Sequence, residues 1–359
     1  MVPPMRALTL CLLGGAVMAA EPPAKKVPAP MPLLSRGAKA TSVPGGTNVE
    51  TAIDGLYKNG NAWAAGNPTE AKPAMMTLDL AARAKKVLVA WTASGSTDHK
   101  ETTYGGMGAY RIETSADGKT WKPAVAVKDN TYRTRTHLID FAGQRHLRLV
   151  VTGKTAQTYE YGVQLDEVDV HDASEGTDDT WFFLGDSITA GCFTREPSRQ
   201  PSFAEVIAAK HPGRFPLQLN GGNGHEKSGD GLERLPKLLA AYPEVKHWAI
   251  ALGTNDAAGN AVTRPFERNL EDMIELLKKA GKVPVIARIP FSTSANHRSV
   301  EAFNKVVDAV TKKHGLLPGP DLYAYFKENP KDLDDGLHPN NKGCIALNRL
   351  WAEAVDSLY

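Results

Sequence analysis

WFFLGDSITAG, residues 181–191, is a short apolar run that breaks at Gly185 and delivers Ser187. Trp181, Phe182, Phe183 and Leu184 in succession suit a strand buried on both faces. The glycine lets the chain turn, and Asp186 and Ser187 then stand at a helix start. In a parallel sheet that turn lies at the C-terminal edge, where α/β folds place their ligands. A helix N-terminus also favours negative charge forming beside it. Two readings of Ser187 are open: a nucleophile, or a helix cap, since Asp and Ser are both preferred caps. The G-x-S-x-G elbow of α/β-hydrolases is absent. A nucleophile requires a base and oxyanion donors, which must come from elsewhere in the chain.

Three later loops offer them. DDGLHPN, residues 334–340, puts Asp335 and His338 two residues apart, ahead of a terminal helical stretch. One tight loop can then turn a carboxylate to one imidazole nitrogen and leave the other for a serine; a lone D-x-x-H is more often a solvated turn. LGTNDAAG, residues 252–259, follows the apolar strand HWAIAL and carries Asn255, whose amide can donate. LNGGNG, residues 219–224, follows FPLQL, and its glycines let a bare backbone N–H approach a substrate. Asn220 and Asn255 serve equally well as turn residues. From residue 180 onward apolar strands alternate with stretches of helical period, such as RPFERNLEDMIELLKKAG, so an α/β domain with a parallel sheet is expected over 180–359.

The order GDSIT, N-x-G, GTND, D-x-x-H-P-N resembles the SGNH subgroup of the GDSL esterases and lipases over about residues 180–359. The resemblance implies a three-layer SGNH hydrolase fold. It implies Ser187 as nucleophile, His338 as base and Asp335 as the carboxylate that orients it. It further implies an oxyanion hole from the Ser187 and Gly222 backbone N–H groups and the Asn255 side chain, Gly222 being placed by its position two after Asn220. Cys192 follows Ser187 by five residues and Cys344 follows His338 by six. A disulfide between them and two separate buried thiols are both compatible with that spacing.

Residues 35–172 read differently. VLVAWTAS, YRIETS, RTHLIDF, HLRLVVTG and VQLDEVDVHD are short β-rich runs separated by turn chemistry, which implies an antiparallel sandwich or barrel. AIDG with the following Trp63, the S-x-D-G-x-x-W turn from Ser115 to Trp121, and the closing strand with Glu167 make the segment similar to discoidin-like modules, also called coagulation-factor type C domains. That resemblance implies a jelly-roll, galactose-binding-like sandwich and a carbohydrate-binding role. Loop aromatics Tyr104, Tyr132, Tyr159 and Tyr161 are then candidates for sugar contact, and Asp54 and Glu167 for a structural calcium. Ordinary surface carboxylates are the alternative for the last two.

The layout expected is a signal peptide at 1–20, a Pro/Ala-rich tether at 21–34, the β-sandwich at 35–172, a linker at 173–179 and the hydrolase domain at 180–359. Arg6 followed by the apolar run of residues 7–20 is too short to span a bilayer and suits export, so a secreted or periplasmic location is expected and membrane insertion is not. A net charge of +2 offers no electrostatic reason for a nucleic-acid partner. No H-E-x-x-H or C-x-x-C occurs, so no cofactor is expected for catalysis. Together the two halves point to an esterase acting on an acylated carbohydrate or polysaccharide, with acetyl the favoured acyl group. A lipase, small-ester hydrolase or thioesterase is the alternative within the family, and a non-catalytic carbohydrate-binding protein the alternative outside it.

Overall fold

The computed structural model describes residues 27–44, 46–56, 62–81, 83–94, 105–156, 158, 162–259 and 261–359. The expected signal segment and Tyr104, Tyr159 and Tyr161 lie outside the described residues.

The N-terminal half is built from strands β1 (Lys39–Ser42), β2 (Trp63–Gly66), β3 (Ala74–Asp79), β4 (Lys86–Ala93), β5 (Met107–Ser115), β6 (Lys122–Val127), β7 (Thr134–Asp140), β8 (His146–Lys154) and β9 (Val163–Asp172). They form two antiparallel sheets, ordered β1-β3-β8-β5-β6 and β2-β9-β4-β7. Met76, Leu78, Ile112, Leu149 and Val151 from one sheet meet Trp63, Val89, Trp91, Val168 and Val170 from the other in a single core. Strand residues alternate between faces, so every second residue reaches this core. In the Ser115–Trp121 turn, Asp117 Oδ1 accepts from the amides of Lys119 and Thr120, and Trp121 lies beneath the Arg148 guanidinium.

The C-terminal half alternates strand and helix: β10 (Thr180–Gly185), α1 (Ser187–Cys192), α2 (Phe203–Lys210), β11 (Leu217–Gly222), α3 (Ser228–Ala241), β12 (His247–Ala251), α4 (Thr263–Lys279), β13 (Val283–Arg288), α5 (Val300–Lys313), β14 (Pro318–Asp321), α6 (Leu322–Glu328) and α7 (Asn341–Val355). The five strands pair in parallel in the order β11-β10-β12-β13-β14. Helices cover both faces, so β10 is buried throughout and Trp181–Leu184 is an unbroken apolar run. Phe182 and Leu184 pack towards α3, α4 and α5, and Trp181 and Phe183 towards α2, α6 and α7. Because β11 and β12 flank β10, the chain reverses direction across the sheet at the end of β10. Ser187 therefore sits at a topological switch point, the crevice position of open α/β sheets.

The two halves share a core. On β4, Val87, Val89 and Trp91 face into the sandwich, whereas Leu88 and Ala90 join the core around α3. Thr134 O accepts from the Tyr242 hydroxyl at 2.8 Å, and the Thr136 hydroxyl donates to Glu244 at 2.9 Å. Tyr132, expected on a sugar-facing loop, instead packs edge-on against Tyr242 at 6.1 Å and is half-buried at this seam. Its ring is apolar area in contact with the other domain, not an open stacking platform. The described part of the expected tether is also packed. Met31 is fully buried, Leu34 N–H donates to Val170 O, and Asp172 N–H donates to Pro32 O. The apolar residues of MPLL carry this strip onto β9 in spite of its prolines.

Candidate active site

Asp186 settles the competition for the helix start. Its Oδ1 accepts from Ile188 N–H at 2.9 Å and caps α1. Burial pushes the Asp186 carboxyl up to about 6, against the pull of that amide. With the cap supplied by Asp186, the Ser187 hydroxyl turns to His338, 2.8 Å from Nε2. His338 Nδ1 faces Asp335 Oδ2 at 2.7 Å. An ionised carboxylate only accepts, so this contact assigns the ring proton to Nδ1 and leaves Nε2 as acceptor for the serine.

The loop carrying Asp335 and His338 is fixed by its own backbone. Asp335 Oδ1 accepts from His338 N–H at 2.7 Å and from Leu337 N–H at 3.0 Å. The His338 amide and then its ring hold the Asp335 carboxyl well below the usual carboxylate range. The shift favours the ionised carboxylate, which can orient the imidazole. Gly336 adopts φ 79°, and a Cβ there would run into Thr293 Oγ1. Its carbonyl accepts from Thr293 N–H and the Ser292 hydroxyl, which ties the loop to the segment after β13. The Asp335 and His338 side chains remain 58% and 41% exposed, so a large leaving group has room outside the pair.

Cys192 and Cys344 form a disulfide with Cα atoms 4.7 Å apart. It joins the end of α1 to the first turn of α7, and so links the helix begun by Ser187 to the helix that follows His338.

Asn255 and Gly222, the two expected oxyanion donors outside α1, differ in what already engages them. Asn255 stands at the end of β12, and its Nδ2 donates to Glu226 O at 3.0 Å, which leaves its second amide proton for a ligand. Gly222 does not fit. Its N–H donates to Asn220 Oδ1 at 3.0 Å in an Asx turn, and a Cβ on it would strike the backbone of Ala190. Gly222 is required for packing of β11 against α1, and its donor is spent. The loop that reaches Asn255 is the following turn, residues 223–226, where Asn223 N–H is bonded to Gly185 O and His225 takes φ 59°. A buried ion pair between Glu226 and Arg234 at 2.7 Å holds that turn.

Arg133, at the start of β7, is a part of the site that local motifs do not reveal. It is 6% exposed, and its Nη2 donates to Asn220 O and Gly222 O, both at 2.8 Å. The sandwich domain thereby braces the strand end from which the 223–226 turn departs. Arg199 works from the other side, donating to Gly191 O and, at 3.1 Å, to Asn341 Oδ1 just after the His338 loop.

The candidate calcium residues are engaged otherwise. Glu167 Oε2 accepts from Gly55 N–H and Asp54 Oδ1 from Leu56 N–H, both at 2.8 Å. Glu167 lies near Asp169, Arg195 and Arg36, so cationic side chains already stand beside it. Among the described residues no group of three or more His, Cys, Asp or Glu is gathered to hold a metal, and no helix is long and apolar enough to cross a membrane.

Residues 183–344 match the GDSL-like Lipase/Acylhydrolase family, and residues 37–163 match the F5/8 type C domain. The chain is 28% identical over 158 residues to an arylesterase of Vibrio mimicus, covering 44% of this chain and 78% of that protein. It is 28% identical over 165 residues to the thioesterase 1/protease 1/lysophospholipase L1 of Escherichia coli, covering 45% and 76%. Among solved structures, a lipase/acylhydrolase from Enterococcus faecalis aligns with TM-score 0.42 at 24% identity, over 50% of this chain and 95% of that one. The chain thus carries a GDSL acylhydrolase domain behind an F5/8 type C domain, and is a carboxylic ester hydrolase.

Proposed function

We propose that the protein is an exported serine esterase that removes O-acyl groups, O-acetyl above all, from a carbohydrate. The observation that carries the reading is the unbroken chain of contacts from Ser187 through His338 to Asp335. Ser187 Oγ attacks the ester carbonyl carbon while His338 Nε2 takes its proton. Asp335 stabilises the imidazolium that forms. The tetrahedral oxyanion is held by Asn255 Nδ2 together with the backbone N–H groups of Ser187 and Gly224. His338 then passes its proton to the departing sugar oxygen, and the acyl group remains on Ser187. Water attacks this ester with His338 again as base, which releases the acid and restores the serine.

Two features favour a carbohydrate alcohol. The Asp335–His338 edge is open to solvent, and an F5/8 type C domain is fastened to the end of β11 through Arg133. The test is acetate release from a panel of acetylated polysaccharides, with 4-nitrophenyl acetate as control and Ser187→Ala alongside. Release from at least one polysaccharide, absent in the variant, is expected. Turnover of the aryl ester alone would remove the carbohydrate assignment and keep the esterase. Preference for an acyl thioester would move the reading to a thioesterase.

A further inference from the structure

A cavity of about 310 Å³ lies in the seam between the two domains, lined by Thr92, Asp166, Gly191 and Asn220 among others. That places it in the size range of small-molecule sites, roughly 300–1,000 Å³. It is distinct from the Ser187–His338 contact but close to it. Gly191 follows Ser187 by four residues in α1, so the two share one helix face about 6 Å apart. Arg199 spans the gap, since it lines the cavity and also reaches Asn341 beside the His338 loop.

The lining has a specific chemistry. Three carboxylates, Asp166, Glu167 and Glu196, face three guanidiniums, Arg133, Arg195 and Arg199. The cations are already engaged within the protein, Arg195 with Asp169, Arg199 with Glu196, and Arg133 with the Asn220 and Gly222 carbonyls, so no free charge is left to call for a strongly anionic ligand. Two of the lining groups are more than nine-tenths buried and have polar atoms that meet no protein partner. They are Gln218 at Nε2 and Glu167 at Oε1, both closed off behind the cavity surface, while Gln218 Oε1 accepts from Ala204 N–H and Glu167 Oε2 from Gly55 N–H. Leu56, Ala93 and Phe193 add apolar surface. Polar side chains that donate and accept, interleaved at close quarters beside an apolar patch, suit a neutral polyol whose hydroxyls each donate and accept. Burial also lifts Asp166 to about 7, so near neutrality it can act in either role.

We propose that this interdomain cavity is a glycosyl subsite, which holds a sugar unit of the substrate while its acyl group is presented to Ser187. The proposal rests on the carbohydrate-esterase reading and deepens it: the sandwich domain becomes one wall of the substrate cleft, not a separate binding module. The subsite is read out by Asp166→Asn, which keeps shape, and Thr194→Trp, which fills the cavity from its rim.

Two measurements test it. The first is the ratio of kcat/KM on partially acetylated xylo-oligosaccharides to kcat/KM on 4-nitrophenyl acetate. The second is calorimetric titration of Ser187→Ala protein with deacetylated xylohexaose, cellohexaose and chitohexaose, with and without each cavity substitution. A fall of about tenfold in the ratio for both variants is expected, carried by KM, with binding of at least one hexasaccharide weakened to the same extent. Equal losses on both esters, or none on either, would overturn the subsite while leaving the esterase reading intact. Acetylated oligosaccharides untouched by the wild type would defeat the carbohydrate-esterase reading. In that case hexasaccharide binding lost in both variants would still uphold the cavity as a sugar site, and no binding by any of the three would overturn it.

Discussion

Asp335–His338 and Asp169–Arg195 are two acid–base pairs with nearly the same separation, 2.7 and 2.6 Å, and opposite surroundings. The first is half open to water, with side chains 58% and 41% exposed. The second is closed off, at 5% for Asp169 and 13% for Arg195, and it joins β9 of the sandwich to the segment after α1. For Asp169, burial opposes ionisation, but the charge and hydrogen bond of Arg195 win and hold it below the usual range. For neighbouring Glu167, burial and then the Asp169 charge push the carboxyl well up. An exposed pair adds little to stability because water screens it. A buried one leaves an uncompensated charge when half of it is removed. On the proposed mechanism the contrast separates chemistry from cohesion: altering the open pair should cost turnover alone, and altering the closed pair should cost the fold.

The contrast can be broken at several points. Asp335→Asn carries the largest effect: kcat on an aryl acetate should fall by about 10²–10⁴-fold, with the melting temperature within about 1 °C of wild type. A melt lowered by several degrees, or turnover unchanged, would contradict the assignment of this pair to chemistry. Arg195→Met should do the reverse. It strands Asp169 beside Glu167 and should destabilise the protein by about 3–5 kcal/mol in denaturant titrations; a loss below about 1 kcal/mol would show that the pair holds nothing together. Replacing Cys192 and Cys344 together by Ala should lower stability by about 2–4 kcal/mol, since the cross-link closes a separation of 152 residues. A chemical melt unchanged by reductant would argue against the link.

Asp179 gives the smallest and most specific effect. Burial raises its carboxyl to about 6 from 3.8, against hydrogen bonds from Tyr359 and Trp181 and the charges of Arg214 and His211. Between those two values the folded state binds a proton that the unfolded state has released. Stability therefore falls as pH rises through about 4 to 6, and the contribution is complete below the lower value. Asp179→Asn should flatten that slope by on the order of 1–3 kcal/mol, with Asp186 keeping its own share. Parallel stability–pH curves for the two proteins would refute this.

The parts of the molecule that a sequence exposes are those carried by short local patterns. Buried β10, the Asp335-x-x-His338 loop and the Ser115–Trp121 turn each declare themselves within a few residues, and so do the two fold classes. Gly222 shows the limit. Nothing in NGGNG ranks one glycine above another, because its amide is lost to the Asn220 side chain two residues earlier, a local turn that only geometry reveals. Tyr132 and the MPLL strip mislead for a different reason: each packs against a partner distant in the chain. Arg133 left no signal at all. It reads as one more polar residue in a strand, and its partners lie 87 and 89 residues away in another domain.

The most direct test of the account is mass spectrometry of the protein after treatment with a 4-nitrophenyl phosphonate, which phosphonylates an activated serine nucleophile. The account predicts one adduct per chain, on the peptide containing Ser187, with labelling slowed in Asp335→Asn and absent in Ser187→Ala. An adduct on another residue, or no adduct in a protein that hydrolyses esters, would contradict it.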